Sequence, residues 1–287
     1  LLIILFMLTS LDRMEYLNSL FYISIFSIGL LSDLKVLNSP KLRFLFQISF
    51  LILFIFLLDI RIFNTRVDIF DELLKNNVLN YFFVTFCLMI LINGSNFVDG
   101  INALLINYYL IIFGTLLFFL PEFIHDVEFL KYFIILLLII LAFNLSGKII
   151  LGDSGSYILG LFSGIYLINF SNQNLFISPF FIILLLWYPC FELLFSMIRR
   201  NGSKTTMYKP DIYHLHQMLF NFFKKKAHVK NNINHFITSS LINFYNIIII
   251  IIGVNYINQT EKLITIIILN LVIYSFTYFL LRKNKNY

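Results

Sequence analysis

Charged residues are scarce in this sequence. Asp, Glu, Lys and Arg make up 13% of the 287 residues, whereas a soluble domain carries about 25%. Hydrophobic residues reach 60%, and the mean hydropathy is +0.87. Because a single globular core could not bury this much apolar surface, lipid must solvate a large part of it. The composition therefore excludes a soluble globular fold and predicts an integral membrane protein.

Cysteine is also scarce, and the first residues lack the features of a secretory signal. The two cysteines, Cys87 and Cys190, lie in apolar segments, which excludes a disulfide framework and a cysteine zinc site. The chain starts with Leu1 inside an apolar run. Because this run has no basic region and no small-residue cleavage site, we do not expect it to be a signal peptide. Since no Met precedes Leu1, we interpret the sequence as truncated at its N-terminus. No soluble domain and no internal repeat is visible, so we expect one integral membrane domain over residues 1–287.

Apolar runs long enough to cross a bilayer recur along the whole chain. A transmembrane helix needs about 20 apolar residues, and runs of this length predict an all-α, polytopic helical bundle with nine full spans and one partial span. The partial span is the tail at residues 1–9. The full spans lie at 15–31, 43–60, 78–95, 103–120, 130–145, 150–170, 175–198, 236–256 and 262–281.

Positive charge is unevenly divided between the two sides of this predicted bundle. When the sides alternate along the spans, most of the 21 Lys and Arg residues fall on the side that holds the long loop at 199–235 and the C-terminus. The loops at 32–42, 93–102 and 146–153 fall on the same side. The positive-inside rule makes this the cytoplasmic side. The net charge of +6 is therefore interpreted as a topology signal, and no nucleic-acid partner is expected.

Four polar segments on this cytoplasmic side interrupt the apolar sequence. They read GLLSDLKVLNSPKLR, NGSNFVDGIN, LGDSGSYILG and RRNGSKTTMYKPDIYHLHQ. Three aspartates at the ends of predicted spans stand out, because carboxylates there face water or a protein cavity and avoid lipid. The candidate residues in these segments are Asp33; Asn93, Asn96, Asp99 and Asn102; Asp153; and Arg199, Arg200, Lys209, Asp211, His214 and His216.

These residue types suit the handling of a phosphorylated substrate. Carboxylates and water are the ligands of Mg²⁺, which is usually shared with substrate phosphates, and Arg, Lys and His can neutralise the remaining phosphate charge. The set therefore suits a diphosphate substrate from the cytoplasm. Structural interpretations stand beside this one, since an Asp at a helix end often caps the helix and Asn-Gly pairs mark turns. A transporter, a lipid flippase and a non-catalytic scaffold stay open as alternatives.

The order of these motifs resembles that of the polyprenyl-phosphate N-acetylhexosamine-1-phosphate transferases, from about Gly29 to Gln217. The family motifs correspond to GLLSDL, NGSNFVDGIN, FNLSGKIILGDSGSYILG and YPCFELLFSMIRR followed by KPDIYHLHQ. The resemblance implies transfer of a sugar-1-phosphate from a UDP-sugar to undecaprenyl phosphate, with release of UMP. It also implies a need for Mg²⁺, with Mn²⁺ as a substitute, and an active site on the cytoplasmic face of the bacterial inner membrane. Whether the enzyme forms a homodimer stays open.

The resemblance also assigns roles to individual residues. Asp33, Asp99 and Asp153 are implied as catalytic, with Asp153 as the metal ligand and Asp33 next to the lipid phosphate. Direct attack by the lipid phosphate and a covalent aspartyl intermediate both stay open as mechanisms. The implied substrate-binding residues are Asn96, with Asp99, for the nucleotide; Arg199, Arg200, His214 and His216 for the diphosphate or sugar; and Asn93, Asn102 and Asn144 in the same motifs.

Four positions depart from the pattern of the family. Ser32 and Asn102 stand where many members have aspartates, Glu192 stands where an Asp is frequent, and the histidine motif reads His-Leu-His-Gln. These departures argue against the peptidoglycan translocase and favour the branch that initiates surface polysaccharides with a UDP-N-acetylhexosamine donor. They also leave open a catalytically inactive paralogue.

Overall fold

The computed structural model describes the backbone of residues 13–201, 213–227 and 230–283. Within these ranges the regular elements are helices, and no strand is present. This confirms the predicted all-α class. The partial span predicted at residues 1–9 lies outside the described residues.

Twelve α-helices follow one another in the described part of the chain. They are α1 (Arg13–Asp33), α2 (Pro40–Leu57), α3 (Asp68–Leu74), α4 (Asn77–Val98), α5 (Leu104–Phe119), α6 (Val127–Leu145), α7 (Gly152–Gln173), α8 (Pro179–Leu185), α9 (Trp187–Asn201), α10 (Leu215–Ala227), α11 (Asn231–Val254) and α12 (Thr260–Lys283), with a short 3₁₀ turn at Pro121–Phe123. Each of the nine predicted spans coincides with one of these helices or, for the span at 175–198, with the pair α8 and α9.

Five of these helices, α2, α4, α6, α11 and α12, are long and apolar enough to cross a membrane. The pair α8 and α9 passes the same test together, although the two helices are bent by 74°, so the described residues hold up to six candidate spans. Helices α1 and α5 contribute shorter apolar segments, and the 22 residues of α7 include many Ser, Gly and Asn. The multi-pass membrane character is therefore supported, whereas the number of nine spans stays a prediction.

The break between α8 and α9 follows from a proline and is stabilised by a tyrosine. Pro189 has no backbone N–H and cannot donate to the carbonyl of Leu185, four residues earlier. The hydroxyl of Tyr108, on α5, donates to that carbonyl at 2.6 Å and accepts from the backbone N–H of Tyr188 at 3.3 Å. Since an unpaired backbone group is costly in an apolar environment, Tyr108 stabilises the bent geometry.

The Cα positions divide the chain into two compact units. The first comprises Leu1–Asn96 and Leu151–Leu175, and in it α1 packs on α7 and on α2. The second comprises Phe97–Ile150 and Phe176–Tyr287, and in it α5 packs on α6 and α11, while α10, α11 and α12 pack on one another. The single domain expected from the sequence stays a prediction.

The packing of α1 on α7 in the first unit depends on a glycine. A Cβ atom at Gly29 would lie 2.4 Å from the Cα of Ser154, and a backbone atom cannot move aside as a flexible side chain can. The missing side chain lets the last turn of α1 approach the first turn of α7. This approach brings Ser32 and Asp33 next to Asp153.

We expect Gly29→Ala to lower the thermal midpoint of the purified protein in detergent, because overpacking costs about 1–3 kcal/mol. Gly114→Ala is the matched control, since Gly114 also lies inside a helix and its Cβ would meet nothing within 4 Å. Ala is favoured over Gly in a helix by up to about 1 kcal/mol, so the control should unfold at the same temperature or a higher one. Equal midpoints for the two variants would contradict the close contact.

Candidate functional site

The carboxylate of Asp153, in the first turn of α7, is the centre of a polar cluster in the first unit. One oxygen, Oδ2, accepts hydrogen bonds from the Ser32 hydroxyl at 2.5 Å and from the guanidinium of Arg43. The other, Oδ1, accepts from the side-chain amide of Asn96 at 2.6 Å, and Arg43 also donates to Ser32 at 2.5 Å. The side chains of Arg43 and Asp153 are 25% and 21% exposed. A solute can therefore reach this ion pair.

Asp33 caps the helix that carries Asp153. Its two carboxylate oxygens accept from the backbone N–H groups of Asp153 at 2.9 Å and Ser154 at 3.1 Å. Leu151, at the N-cap position, makes no side-chain cap hydrogen bond, so Asp33 supplies the missing acceptor from α1. Gly152 has a φ of +63°, and a Cβ there would lie 2.8 Å from both carboxylate oxygens. Asp33 thus fixes the backbone at Asp153, and its implied contact with a lipid phosphate stays a prediction.

Asn93 and Asn96 lie one turn apart on α4. Besides Asp153, Asn96 donates to the hydroxyl of Ser156 at 3.1 Å. The amide nitrogen of Asn93 donates to the carbonyl four residues earlier at 2.9 Å and to the side-chain oxygen of Gln47 on α2 at 3.1 Å. Asn96 therefore belongs to the cluster around Asp153, whereas the amide nitrogen of Asn93 joins two helices. The substrate contacts implied for both stay predictions.

A second polar cluster, in the second unit, is built around the carboxylate of Glu192 on α9. This side chain is 1% exposed. Its Oε1 lies 3.0 Å from Nδ1 of His214 and accepts from the backbone N–H of Leu215 at 3.2 Å. Its Oε2 accepts from the hydroxyl of Tyr274 on α12 at 2.8 Å. Glu192 therefore holds both a histidine of the predicted motif and the first backbone N–H of α10.

His216 is fully buried beside His214. The two rings stack nearly parallel, with centroids 5.5 Å apart, and a Cβ at Gly100 would lie 3.2 Å from Nε2 of His216. Neither ring nitrogen of His216 has a hydrogen-bond partner among the described residues. Burial lowers the pKa of His216 to about 4, because the charged imidazolium loses its hydration. The ring is therefore neutral at neutral pH.

Asn144, at the end of α6, is buried and engaged with backbone groups of the second unit. Its side-chain oxygen accepts from the N–H of Ala103 at 2.6 Å, and its amide nitrogen donates to the carbonyl of Ile149 at 2.9 Å. Ala103 has a φ of +66°, a conformation that is unfavourable for a residue with a Cβ. Asn144 therefore stabilises a strained turn before α5, and the substrate contact implied for it stays a prediction.

Asp99 and Asn102 lie in the turn between α4 and α5. Both are half-buried. The backbone N–H of Asn102 donates to Nδ1 of His235 on α11 at 3.4 Å, which fixes the turn to that helix. The catalytic role implied for Asp99 and the substrate contact implied for Asn102 stay predictions.

Arg199 and Arg200 are half-buried in the last turn of α9. The guanidinium of Arg199 donates to the Ser196 hydroxyl at 3.2 Å and lies over the rings of Tyr213 and Tyr278, at 5.7 and 5.8 Å from their centroids. Cations near a helix C-terminus are favoured by the helix dipole. Both arginines stay predicted contacts of the diphosphate or sugar. Lys209 and Asp211, from the same polar segment, lie outside the described residues.

Arg43 and Tyr274 belong to these clusters and are not among the candidates that the sequence indicates. Arg43 carried a detectable signal, because a cation in the first turn of a predicted span needs an acceptor or water. Tyr274 carried none, since it resembles the other aromatic residues of an apolar span and lies 82 residues from Glu192. In the sequence, Glu192 and Ser32 stand out only as departures from the family pattern. The structure shows that both make direct contacts with predicted site residues.

We expect the protein to lose stability as the pH falls from about 6.5 towards 4, in part through His216. Its pKa is lower in the folded state than in the unfolded chain, so the unfolded chain binds the proton first and is favoured over this range. Below about pH 4 His216 is protonated in the folded state too, so its contribution to the loss of folding stability, on the order of 3 kcal/mol, is then complete. Thermal midpoints of wild type and His216→Gln should differ in their pH dependence, with the shallower decline for the variant. Parallel profiles would contradict the buried neutral ring.

Comparison with known proteins adds an independent finding. No curated protein matches the chain. The profile of glycosyl transferase family 4 matches residues 17–171, more than half of the chain, and this region contains Ser32, Asp33, Arg43, Asn96 and Asp153. Members of this family are membrane enzymes, in agreement with the apolar helices. The chain therefore belongs to glycosyl transferase family 4 and is a glycosyl-phosphate transferase of the multi-pass membrane type.

Proposed function

We propose that this enzyme transfers an N-acetylhexosamine-1-phosphate from a UDP-sugar to undecaprenyl phosphate and releases UMP. In this proposal the reaction takes place at the cytoplasmic face of the bacterial inner membrane and initiates a cell-envelope polysaccharide such as an O-antigen. The observation that carries the proposal is the cluster around Asp153, in which a partly exposed carboxylate, a guanidinium and an amide meet at the start of α7. The family match covers all of these groups.

The cluster is suited to a phosphorylated substrate because it combines both signs of charge. The guanidinium of Arg43 is planar and always charged, and it matches the geometry of phosphate oxygens. It is 25% exposed, and its partner carboxylate belongs to the first turn of a helix, where the helix dipole favours anions. These features support the assignment that Arg43 binds a substrate phosphate. In the substrate complex, the contact with the phosphate would replace its contact with Asp153.

The donor set of the cluster is also compatible with magnesium. Mg²⁺ is usually bound by one or two carboxylates, with substrate phosphates and water as the other ligands. Among the described residues no three His, Cys, Asp or Glu side chains form a metal-binding group, and one partly exposed carboxylate beside a serine hydroxyl fits the lower ligand number. We assign the ion to Asp153. When bound there, Mg²⁺ would neutralise diphosphate charge and stabilise the departing UMP.

In the proposed reaction an oxygen of undecaprenyl phosphate attacks the phosphorus that bears the sugar. The bond from this phosphorus to the bridging oxygen breaks, UMP leaves with that oxygen, and the product is the lipid-linked diphosphate sugar. The second ionisation of a phosphate monoester lies near pH 6, so the nucleophile needs no strong base. Asp33 already accepts two backbone N–H groups, which supports a positioning role for it over that of a covalent nucleophile.

The remaining contacts are assigned by the resemblance to the family. We assign Asn96 and Asp99 to the nucleotide, and His214, His216 and Arg200 to the diphosphate or the sugar. The departures at Ser32 and at other family positions support the branch that initiates surface polysaccharides. The donor would then be a UDP-N-acetylhexosamine.

We expect purified protein to release UMP from UDP-GlcNAc only when both undecaprenyl phosphate and Mg²⁺ are present. Asp153→Asn should reduce the rate about 100-fold or more, as expected when a group that stabilises transition-state charge is removed. Asp126→Asn is the control for the same Asp-to-Asn change, because Asp126 caps α6, is not assigned to the substrate, and Asn is an equally good cap. Its rate should equal that of wild type.

The outcomes of this assay are distinct. Retained turnover in Asp153→Asn at saturating Mg²⁺ would contradict the metal assignment. A burst of UMP without lipid would favour a covalent intermediate over direct attack. No UMP from any of a panel of UDP-N-acetylhexosamines, with protein that unfolds cooperatively, would overturn the proposed function and leave an inactive paralogue or a lipid flippase.

We further expect Asp33→Ala and Asp126→Ala to lose similar stability, about 0.5–2 kcal/mol each, because both remove the cap of a helix. Only Asp33→Ala should also lose transferase activity, since only this cap fixes Asp153. Ser32→Ala should cost less activity than Asp33→Ala, because Asp153 keeps Arg43 and Asn96 as partners. Thermal midpoints and initial rates of the three variants test this, and equal activity losses for Ser32→Ala and Asp33→Ala would contradict it.

A further inference from the structure

The buried carboxylate of Glu192 is fully hydrogen-bonded inside the second unit. Three donors surround it, from His214, Leu215 and Tyr274, at distances between 2.8 and 3.2 Å. An unpaired carboxylate would be very costly at 1% exposure, so these donors are what allows the charge at this position. The arrangement joins three helices, because the donors belong to α12 and to the residues that begin α10.

The contact with His214 determines which ring nitrogen carries a proton. A carboxylate only accepts hydrogen bonds, so Nδ1 of His214, 3.0 Å away, must bear its hydrogen whether the ring is neutral or charged. Nε2 is then the ring nitrogen that this carboxylate leaves available for another partner. The partner of one nitrogen thereby sets the chemistry of the other.

The orientation of the His214 ring is restricted by its neighbours as well. The ring of Phe97 lies 4.9 Å from the His214 ring, centroid to centroid, at an angle of 59°. The ring of His216 stacks on the His214 ring at a centroid distance of 5.5 Å. His214 is 4% exposed, which leaves little space for rotation. The same carboxylate accepts a hydrogen bond from the backbone N–H of Leu215. Glu192 therefore holds both the ring of His214 and the first residue of α10.

We propose that Glu192 is the positioning residue of the histidine motif: it fixes the Nδ1–H tautomer and the ring plane of His214 so that Nε2 is presented to the diphosphate or sugar of the donor substrate. This inference rests on the proposed function for the identity of the substrate. Glu192 itself does not touch the substrate. The family match ends at residue 171, and the inference is carried by the contacts of the second unit alone.

A double-mutant cycle separates positioning from a general structural role. If Glu192 acts through His214, we expect Glu192→Ala and His214→Ala each to lower kcat/KM for the UDP-sugar about 10–100-fold, the usual cost of losing the partner that orients a functional histidine. The double variant should then lie within about threefold of His214→Ala, because a ring that is absent cannot be misplaced. Multiplied losses would overturn the proposal.

Two further variants control for stability. Glu192→Gln should keep most of the activity, because its amide oxygen can still accept from Nδ1–H of His214 and from the N–H of Leu215. Trp187→Phe removes another buried hydrogen bond of α9, the one from Trp187 to Asn246 at 2.9 Å. It should lower the thermal midpoint and leave kcat/KM per folded molecule unchanged. A loss with Glu192→Gln as large as with Glu192→Ala would contradict the tautomer role.

Nuclear magnetic resonance of protein labelled with ¹⁵N-histidine provides a readout that does not need activity. The signals of His214 are identified by their absence in His214→Ala. We expect a protonated Nδ1 in wild type and in Glu192→Gln, and a population with protonated Nε2 and bare Nδ1 in Glu192→Ala. A bare Nδ1 in wild type would overturn the proposal even if the enzyme is active. A wild type without UMP release would overturn the proposed function, and the spectra would still decide whether Glu192 sets the tautomer.

Discussion

The backbone N–H groups at the start of a helix have no acceptor within the helix, so other groups must accept their hydrogen bonds. The helices that carry the predicted motifs, α7 and α10, obtain acceptors from carboxylates on other helices. Asp33 on α1 accepts from Asp153 and Ser154, and Glu192 on α9 accepts from Leu215. The geometry of both clusters depends on these long-range caps, because each cap also fixes the residue that is assigned to chemistry.

This arrangement gives the two acids different physical situations. Asp33 is exposed, and its charge is stabilised by two backbone N–H groups and by the dipole of α7, which together contribute about 1 kcal/mol. Glu192 is buried and needs three donors to remain in place. Removing one partner of a buried charge is far more costly than removing an exposed contact. The second cluster therefore depends more strongly on keeping all its partners in place, which suits a role in holding a ring in one orientation.

The sequence predicted the helices well because apolar length is a local property, and every predicted span that falls on described residues coincides with a helix. It could not predict the break at Pro189 as a bend of 74°, since the hydroxyl of Tyr108 that stabilises the bend comes from another helix. The same limit applies to the site. The sequence groups Asp33, Asp99 and Asp153 on one side of the membrane. Of these, Asp33 and Asp153 meet in the first unit, where Asn96 joins them, but the partners of each side chain depend on tertiary contacts. The sequence alone does not distinguish a serine such as Ser32 that bridges an ion pair from a serine that faces lipid.

The ion pair between Arg43 and Asp153 shows how such a cluster can be stable without substrate and still bind one. A partly exposed ion pair contributes only about 0–1 kcal/mol, because water competes for both charges. Exchange of this contact for others is therefore inexpensive: a phosphate can take the guanidinium while a cation takes the carboxylate. In the proposed reaction both replacements arrive together, with the diphosphate and its Mg²⁺. Asp33 and Asn96 meanwhile keep the backbone and the second oxygen of Asp153 in place, so the carboxylate does not have to be reoriented when its partner changes.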